Sequence, residues 1–291
     1  SKLGINIVHN SYDGHYVMLP VEILRASGSL AERFDCGPAG FVSIRQKEGS
    51  ALFSDKWTIR SFLTLDLGLR LDHDSLTGSS QFSPRIGFAF APGKGKSTVF
   101  RGGIGIFYDK VSLNAAAFTA YPNRAVTVYD LTEEPTYTIH YENALLGRLR
   151  NPRSVAWNGG FEQQLTESLI LRIEYQQRET EREFLVEPLS IGGSDCLALS
   201  NSGHSKYREI QVTTRYRVKR HEINASYVRS ASDGDLNDLN QFFGNTPQPI
   251  IRANERSRLS FDVPNRVLLW GQFEAPWKIT ISPVFDWHTG F

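Results

Sequence analysis

The stretch LTLDLGLRLD sets leucine at Leu63, Leu65, Leu67, Leu69 and Leu71, with Thr64, Asp66, Gly68, Arg70 and Asp72 in the gaps. Successive side chains of an extended chain point to opposite sides, so a period of two is a strand with one apolar and one polar face. The pattern recurs. Ile86, Phe88 and Phe90 oppose Arg85, Gly87 and Ala89, while Phe100, Ile104, Ile106 and Tyr108 oppose Arg101, Gly103 and Gly105. Leu169, Leu171, Ile173 and Tyr175 oppose Ile170, Arg172, Glu174 and Gln176. Ile210, Val212, Thr214, Tyr216 and Val218 oppose Glu209, Gln211, Thr213, Arg215 and Arg217. Similar segments near 2–9, 51–60, 154–164, 221–230, 263–275 and 277–288 predict about eleven strands, with almost no helical periodicity.

The second faces are too polar for a closed core, and the connections alternate in length. Short turns fall at Arg60–Ser61, APGKGKS, LTES, VKRH and APWK. The other connections are HDSLTGSSQ, about 45 residues from Asp109, about 30 from Glu179 and about 32 from Ala231. Tight turns on one side and long loops on the other are the signature of an outer-membrane barrel. In a soluble domain, loops of that length without structure of their own are uncommon. Trp57, Phe100, Tyr108, Tyr175, Tyr227 and Trp277 sit near strand ends, where interfacial aromatic girdles belong. The expected fold is therefore all-β: an antiparallel transmembrane β-barrel wall with short periplasmic turns and long extracellular loops.

Composition narrows the partners. Lys plus Arg number 32 and Asp plus Glu 31, a net charge of +1, so no bulk field favours nucleic acid. No run of about 18 apolar residues exists, which excludes a membrane-spanning helix but not a barrel strand of ~9–11 residues. Cys36 and Cys196 have no CxxC or Cys/His spacing, which leaves a single disulfide or two free thiols open.

The ordered series FSDKWTI, LTLDLGLRLDHDSLTG, FSPRIGFAFAPGKGKSTVFRGGIGIFYD, NPRSVAWNGGFEQQL, LRIEYQQ and FDVPNRVLLWGQFEAP resembles the barrel wall of TonB-dependent outer-membrane receptors. It is most similar to the Oar-like branch, whose members carry an N-terminal carboxypeptidase-regulatory-like domain. The resemblance implies a wall of 22 strands around a plug, in the outer-membrane lipid, with substrate met at the loops and released by the TonB complex pulling on the plug. Residues 1–291 are then expected to be a partial barrel, a fragment lacking Ton box, plug and regulatory-like domain. Phe291, in a TGF stretch usually interior in this family, is not expected to be the barrel's terminal aromatic.

Other chemistry finds little support. GKGKST leads into a strand, and the phosphate-loop pattern needs glycine where Phe90 stands, so a flexible basic turn is expected. RGGIGIF has Tyr108 where a dinucleotide fingerprint needs its third glycine. The glycines instead allow close approach of a plug or a neighbouring strand. Asp233, Asp235 and Asp238 supply oxygens suited to calcium without the twelve-residue loop spacing, making them a weak candidate. Asp72–Asp74 (DHD) has no partner nucleophile, and Asn224 of the NAS triplet falls on a lumen-facing strand position. No enzyme, cofactor or further metal site is expected.

Two residue sets remain. Asp66, Arg70, Arg85, Arg101, Glu162, Arg172, Glu174, Glu209, Arg215, Arg217, Arg266 and Glu274 share the polar parity. An arginine facing lipid near the midplane costs about 2–4 kcal/mol, so these side chains must face water or a plug, chiefly as salt bridges across the wall and to the plug. In the loops, Tyr121, Arg124, Tyr129, Tyr137 and Tyr141 either contact substrate or pack the loop upon itself. The same parity would serve a passive outer-membrane pore or surface adhesin, or a soluble β-sandwich binding module with buried leucines.

Overall fold

The computed structural model describes residues 1–38, 40–93, 97–243 and 250–290. The core of the basic turn, Lys94–Lys96, and the terminal Phe291 lie outside these. In chain order the strands are β1 (Lys2–Tyr16), β2 (Val21–Leu24), β3 (Leu30–Cys36), β4 (Gly40–Arg60), β5 (Leu63–Asp74), β6 (Ser79–Phe90) and β7 (Thr98–Tyr108). Then come β8 (Arg124–Tyr129), β9 (Pro135–Leu145), β10 (Arg153–Gln164), β11 (Leu169–Ile191), β12 (Ser194–Val218) and β13 (His221–Asp235). The last are β14 (Arg256–Arg258), β15 (Asn265–Ala275), β16 (Ile279–Ile281) and β17 (Val284–His288). Two one-turn helices, α1 (Leu113–Ala116) and α2 (Leu239–Phe242), lie in the long connections. Among the described residues no helix is long and apolar enough to cross a membrane.

Eleven strands form one antiparallel wall in the order β1, β4, β5, β6, β7, β10, β11, β12, β13, β15, β17. The register keeps each apolar face continuous across strands: Leu67 lies beside Ile86, Ile86 beside Ile104, and Ile104 beside Trp157. All four side chains are exposed, because no protein covers that face. The opposite face is polar, with Gln46, Gln81, Ser83 and Ser154 buried along it.

One hydrogen-bonded row shows how the wall meets a membrane. It runs Asp55, Leu67, Ile86, Ile104, Trp157, Gln177, Arg208 across six strand-to-strand steps on the outward face. Steps of about 4.8 Å give roughly 29 Å along the row, and a tilt near 45° makes that roughly 20 Å of height. Asp55 lies near the short turn at Arg60, whereas Arg208 lies far up β12 from the turn at Lys219. The row is thus polar at both ends and apolar between, as a tilted strand set crossing an apolar slab of ~25 Å requires.

Two sequence expectations need correction. Strands β1 and β4 run to Tyr16 and from Gly40, well beyond the 2–9 and 51–60 segments, and 277–288 divides into β16 and β17. The stretch from Glu179 to Arg208 is not a loop: β11 and β12 continue as a paired hairpin turning at Gly192 and Gly193, both at positive φ. Outward positions turn polar there because the hairpin has left the apolar slab, but its backbone ladder continues. A bulge at Glu181–Leu185, with Arg182 at φ 63°, bends the hairpin where it rises from the wall.

The hydrophobic core lies in the long connections, above the wall. Val111, Ala115, Ala117, Phe118 and Tyr121 pack with Val42 of β4, Val186, Leu197 and Leu199 of the tall hairpin, and Phe242 and Ile251 of a third connection. Phe118 and Phe242 have ring centroids 4.7 Å apart, and Tyr16 and Tyr121 4.5 Å apart. A small sheet, β2–β3–β8–β9, joins the hairpin through a parallel pairing of Glu142–Leu145 with Cys196–Leu199. Four connections therefore fold into one cap.

Candidate functional site

The wall's inward face is one candidate. Asp66, Arg70, Arg85, Arg101, Glu162, Arg172, Glu174, Glu209, Arg215, Arg217, Arg266 and Glu274 all project to it through the ladder register. Many pair within the wall: Arg70 with Asp72 at 2.7 Å, Arg101 with Glu162 at 3.1 Å, and Arg172 with Glu174 at 2.5 Å. Arg217 lies 3.9 Å from Glu222, Arg220 reaches Glu274 at 2.9 Å, and Arg266 reaches Asp286 at 2.5 Å. Glu209 accepts the Tyr207 hydroxyl. Exposed pairs of this kind contribute about 0–1 kcal/mol each, so they neutralise the face more than they stabilise it.

Asp66, Arg85 and Arg215 have no ion pair among the described residues. Asp66 and Arg85 line a cleft of about 860 Å³ together with Lys56, Asn158 and Arg178. Its floor is made of Gly68, Gly87, Gly103 and Gly105, which leave the backbone open at the middle of the wall. A Cβ at Gly103 would meet the Ile86 carbonyl at 3.0 Å, and Arg85 stacks over Phe107 with 4.5 Å to its centroid. The result is a wide trough with free charges at its edge and backbone on its floor. Lys56, Asn158 and Arg178 were not singled out by the alternation, although each lies on the polar parity of its strand.

The cap is the second candidate, and it sorts the five loop residues. Tyr121 and Arg124 are both 3% exposed, inside the aromatic cluster. Tyr141 is half-buried against that cluster, Tyr129 is half-buried on β8, and Tyr137 stands 54% exposed. Burial pushes the Tyr121 hydroxyl up to about 12, with Tyr12 and Tyr16 adding to the shift. The Phe34, Phe118 and Phe242 partners escaped the sequence reading, because they come from distant connections and show no periodicity.

Arg124 has an unusual setting. Its guanidinium lies 4.0 Å from the Phe242 ring centroid and 5.0 Å from that of Phe34. Nη2 approaches the Met18 sulfur at 3.6 Å, Nε has no partner, and no carboxylate pairs with it among the described residues. Burial lowers its pKa to about 10, so it stays charged at neutral pH. Desolvating such an ion costs several kcal/mol, of which each ring face returns ~0.5–2 kcal/mol. Arg124→Met keeps the volume and removes the charge, so hydrogen-exchange protection of the cap is expected to hold or rise; a loss of protection would contradict this balance.

The remaining candidates are engaged elsewhere. Asp233 pairs with Arg208 at 3.3 Å and Arg258 at 3.2 Å, Asp235 with Arg256 at 3.4 Å, and Asp238 caps α2 by accepting from the Gln241 N–H at 3.0 Å. Among the described residues no three His, Cys, Asp or Glu converge as a metal site. Cys36 and Cys196 are free thiols. With β8 and β9 between their strands they stand about 14 Å apart, beyond the ~7 Å Cα limit for a disulfide. Asn224 is buried and donates to Glu222 at 3.1 Å.

Comparison with known proteins agrees with this architecture. Residues 75–191 match the family model described as outer membrane beta barrel domain. No curated protein is similar in sequence. The fold is similar to the outer membrane transporter YddB from Escherichia coli at TM-score 0.65 and 13% identity, over 98% of this chain and 39% of that one. It is similar to the FrpB iron transporter from Neisseria meningitidis at TM-score 0.56 and 10% identity, over 96% and 42%. For a double mutant of the Serratia marcescens hemophore receptor HasR, in complex with its hemophore HasA and heme, the TM-score is 0.57 at 11% identity, over 99% and 52%. The chain thus spans between two fifths and about half of these structures. The chain has the fold of a β-barrel wall of the bacterial outer membrane, and these structural neighbours carry the names of transporters and receptors.

Proposed function

We propose that this wall belongs to a plugged, energy-coupled import receptor of the TonB-dependent class, and that residues 1–291 supply barrel without plug. The observation that carries this proposal is the inward trough. Its volume of about 860 Å³, its glycine floor, and Asp66, Arg85 and Lys56, which have no ion pair among the described residues, suit a folded domain docking against the wall. A narrow pore would fill such a space with its own side chains. The finer assignment, to the Oar-like branch, rests on the order of the sequence motifs alone.

In this proposal the cap is the entry side. Tyr137, on its surface, is placed to meet an incoming ligand, while Tyr121, Arg124, Tyr129 and Tyr141 hold the cap's shape. The unpaired inward charges face the plug, and the TonB complex acts through the plug. The substrate classes compatible with this reading are iron chelates, glycans, peptides and exported cargo.

Planar-bilayer recording of the full-length chain tests this. A plugged receptor is expected to show no steady conductance until the plug is loosened by denaturant. A constitutive open channel would instead establish the passive pore.

A further inference from the structure

A second polar pocket, of about 460 Å³, opens where β5–β6, the 146–152 connection and the β11 bulge meet. Arg148, Arg150 and Arg182 line it, together with the hydroxyls of Tyr108 and Ser80. No lining residue is acidic, and among the described residues none of the three guanidinium groups has an ion pair. The acids beside Tyr108 and Arg182 in sequence are engaged: Asp109 lies 3.3 Å from Arg178, Glu181 lies 3.6 Å from Arg153, and Glu183 accepts from the Ser205 hydroxyl at 2.8 Å.

The pocket is held by hydrogen bonds that do not use the arginine side chains. Asn201 accepts from the Arg150 N–H at 2.8 Å and donates to the carbonyls of both Arg150 and Arg182 at 2.9 Å. One amide thereby ties two arginine-bearing backbones together. Beneath them the buried Asn151 accepts from Gln81 at 2.7 Å and Thr77 at 3.1 Å, and donates to the Asp109 carbonyl at 3.0 Å. Arg182 sits at φ 63°, a strained position that the bulge holds.

We propose that this pocket binds a phosphomonoester-type oxyanion. Three guanidinium forks and two hydroxyls offer more donors than the two oxygens of a carboxylate can accept. A phosphate has three terminal oxygens and a charge near −2, which matches both the donor count and the unbalanced positive charge. Tyr108 is the last outward residue of β7, so the pocket lies just above the apolar band, at headgroup height on the long-loop side. The oxyanion can therefore come from a lipid headgroup or from a soluble phosphoryl compound.

The test uses the full-length protein in nanodiscs of phosphatidylcholine doped with phosphatidic acid, and separately inorganic phosphate added to the protein in detergent. Native mass spectrometry reads lipid retention, and phosphorus NMR line broadening reads the free ion. Arg148→Gln with Arg150→Gln is expected to weaken binding by at least about tenfold, while the Arg148→Lys, Arg150→Lys pair retains part of it. Unchanged heat-modifiable mobility confirms that the variants fold. Retention of phosphatidic acid identifies a lipid source, and broadening by inorganic phosphate a soluble one. Neither probe distinguishing wild type from the glutamine variant overturns the proposal.

Discussion

Leu67→Arg is expected to deplete the full-length chain from the folded, heat-modifiable fraction of the outer membrane, while Asp66→Asn, one residue away, leaves that fraction nearly unchanged. Leu67 is the central member of the five outward leucines of β5, between Asp55 and Ile86 in the ladder row. A guanidinium there faces the apolar slab, at a cost that reaches about 2–4 kcal/mol at the midplane and falls toward the slab's edges. Asp66 projects into the inward trough and has no ion pair among the described residues, so losing its charge changes stability by about 0.5 kcal/mol or less. Equal tolerance of the two substitutions, by quantitative comparison of folded and unfolded bands, would mean that the faces are reversed or that the leucines meet protein.

The second large effect is confined to the cap. Phe118 is fully buried, in contact with Phe242, at the centre of a cluster drawn from three connections. Phe118→Ala removes a buried ring at a cost of about 3–5 kcal/mol. The expected result is loss of hydrogen-exchange protection across the β8–β9 sheet and the upper β11–β12 hairpin, with the lower wall still protected. Tyr137→Ala, at an exposed position of β9, should leave both protected. If Phe118→Ala unprotects the wall as well, cap and barrel are one cooperative unit; if it changes nothing, the connections do not form this core.

Much of the wall was legible because lipid and water stand on fixed sides of it. That boundary imposes period two on every membrane-crossing segment, so the parity of Leu63–Asp72, Phe100–Tyr108 and Ile210–Val218 assigns each side chain to a face. The strand extensions were not legible. At Gln177 and Arg208 the outward face turns polar, and the backbone pairing that continues the hairpin to Ile191 leaves no mark in side-chain type. The inward charges could be assigned to a face but not to partners. Arg101 meets Glu162, and Arg266 meets Asp286, across neighbouring strands whose register the alternation does not specify.

The loop residues divide along the same line. Tyr121 and Arg124 admitted two roles on sequence grounds, since an aromatic or a guanidinium serves contact with a ligand and packing equally well. Their burial depends on Phe34 and Phe242, more than eighty residues away on either side, and on a hairpin read as a loop. What the sequence by itself determined is the strand alternation, its outward and inward faces and the two classes of connection, because each follows from local period and length. Tertiary structure alone decided the folded cap, the glycine-floored trough and the arginine pocket, because each gathers side chains from segments whose proximity only the folded strand ladder creates.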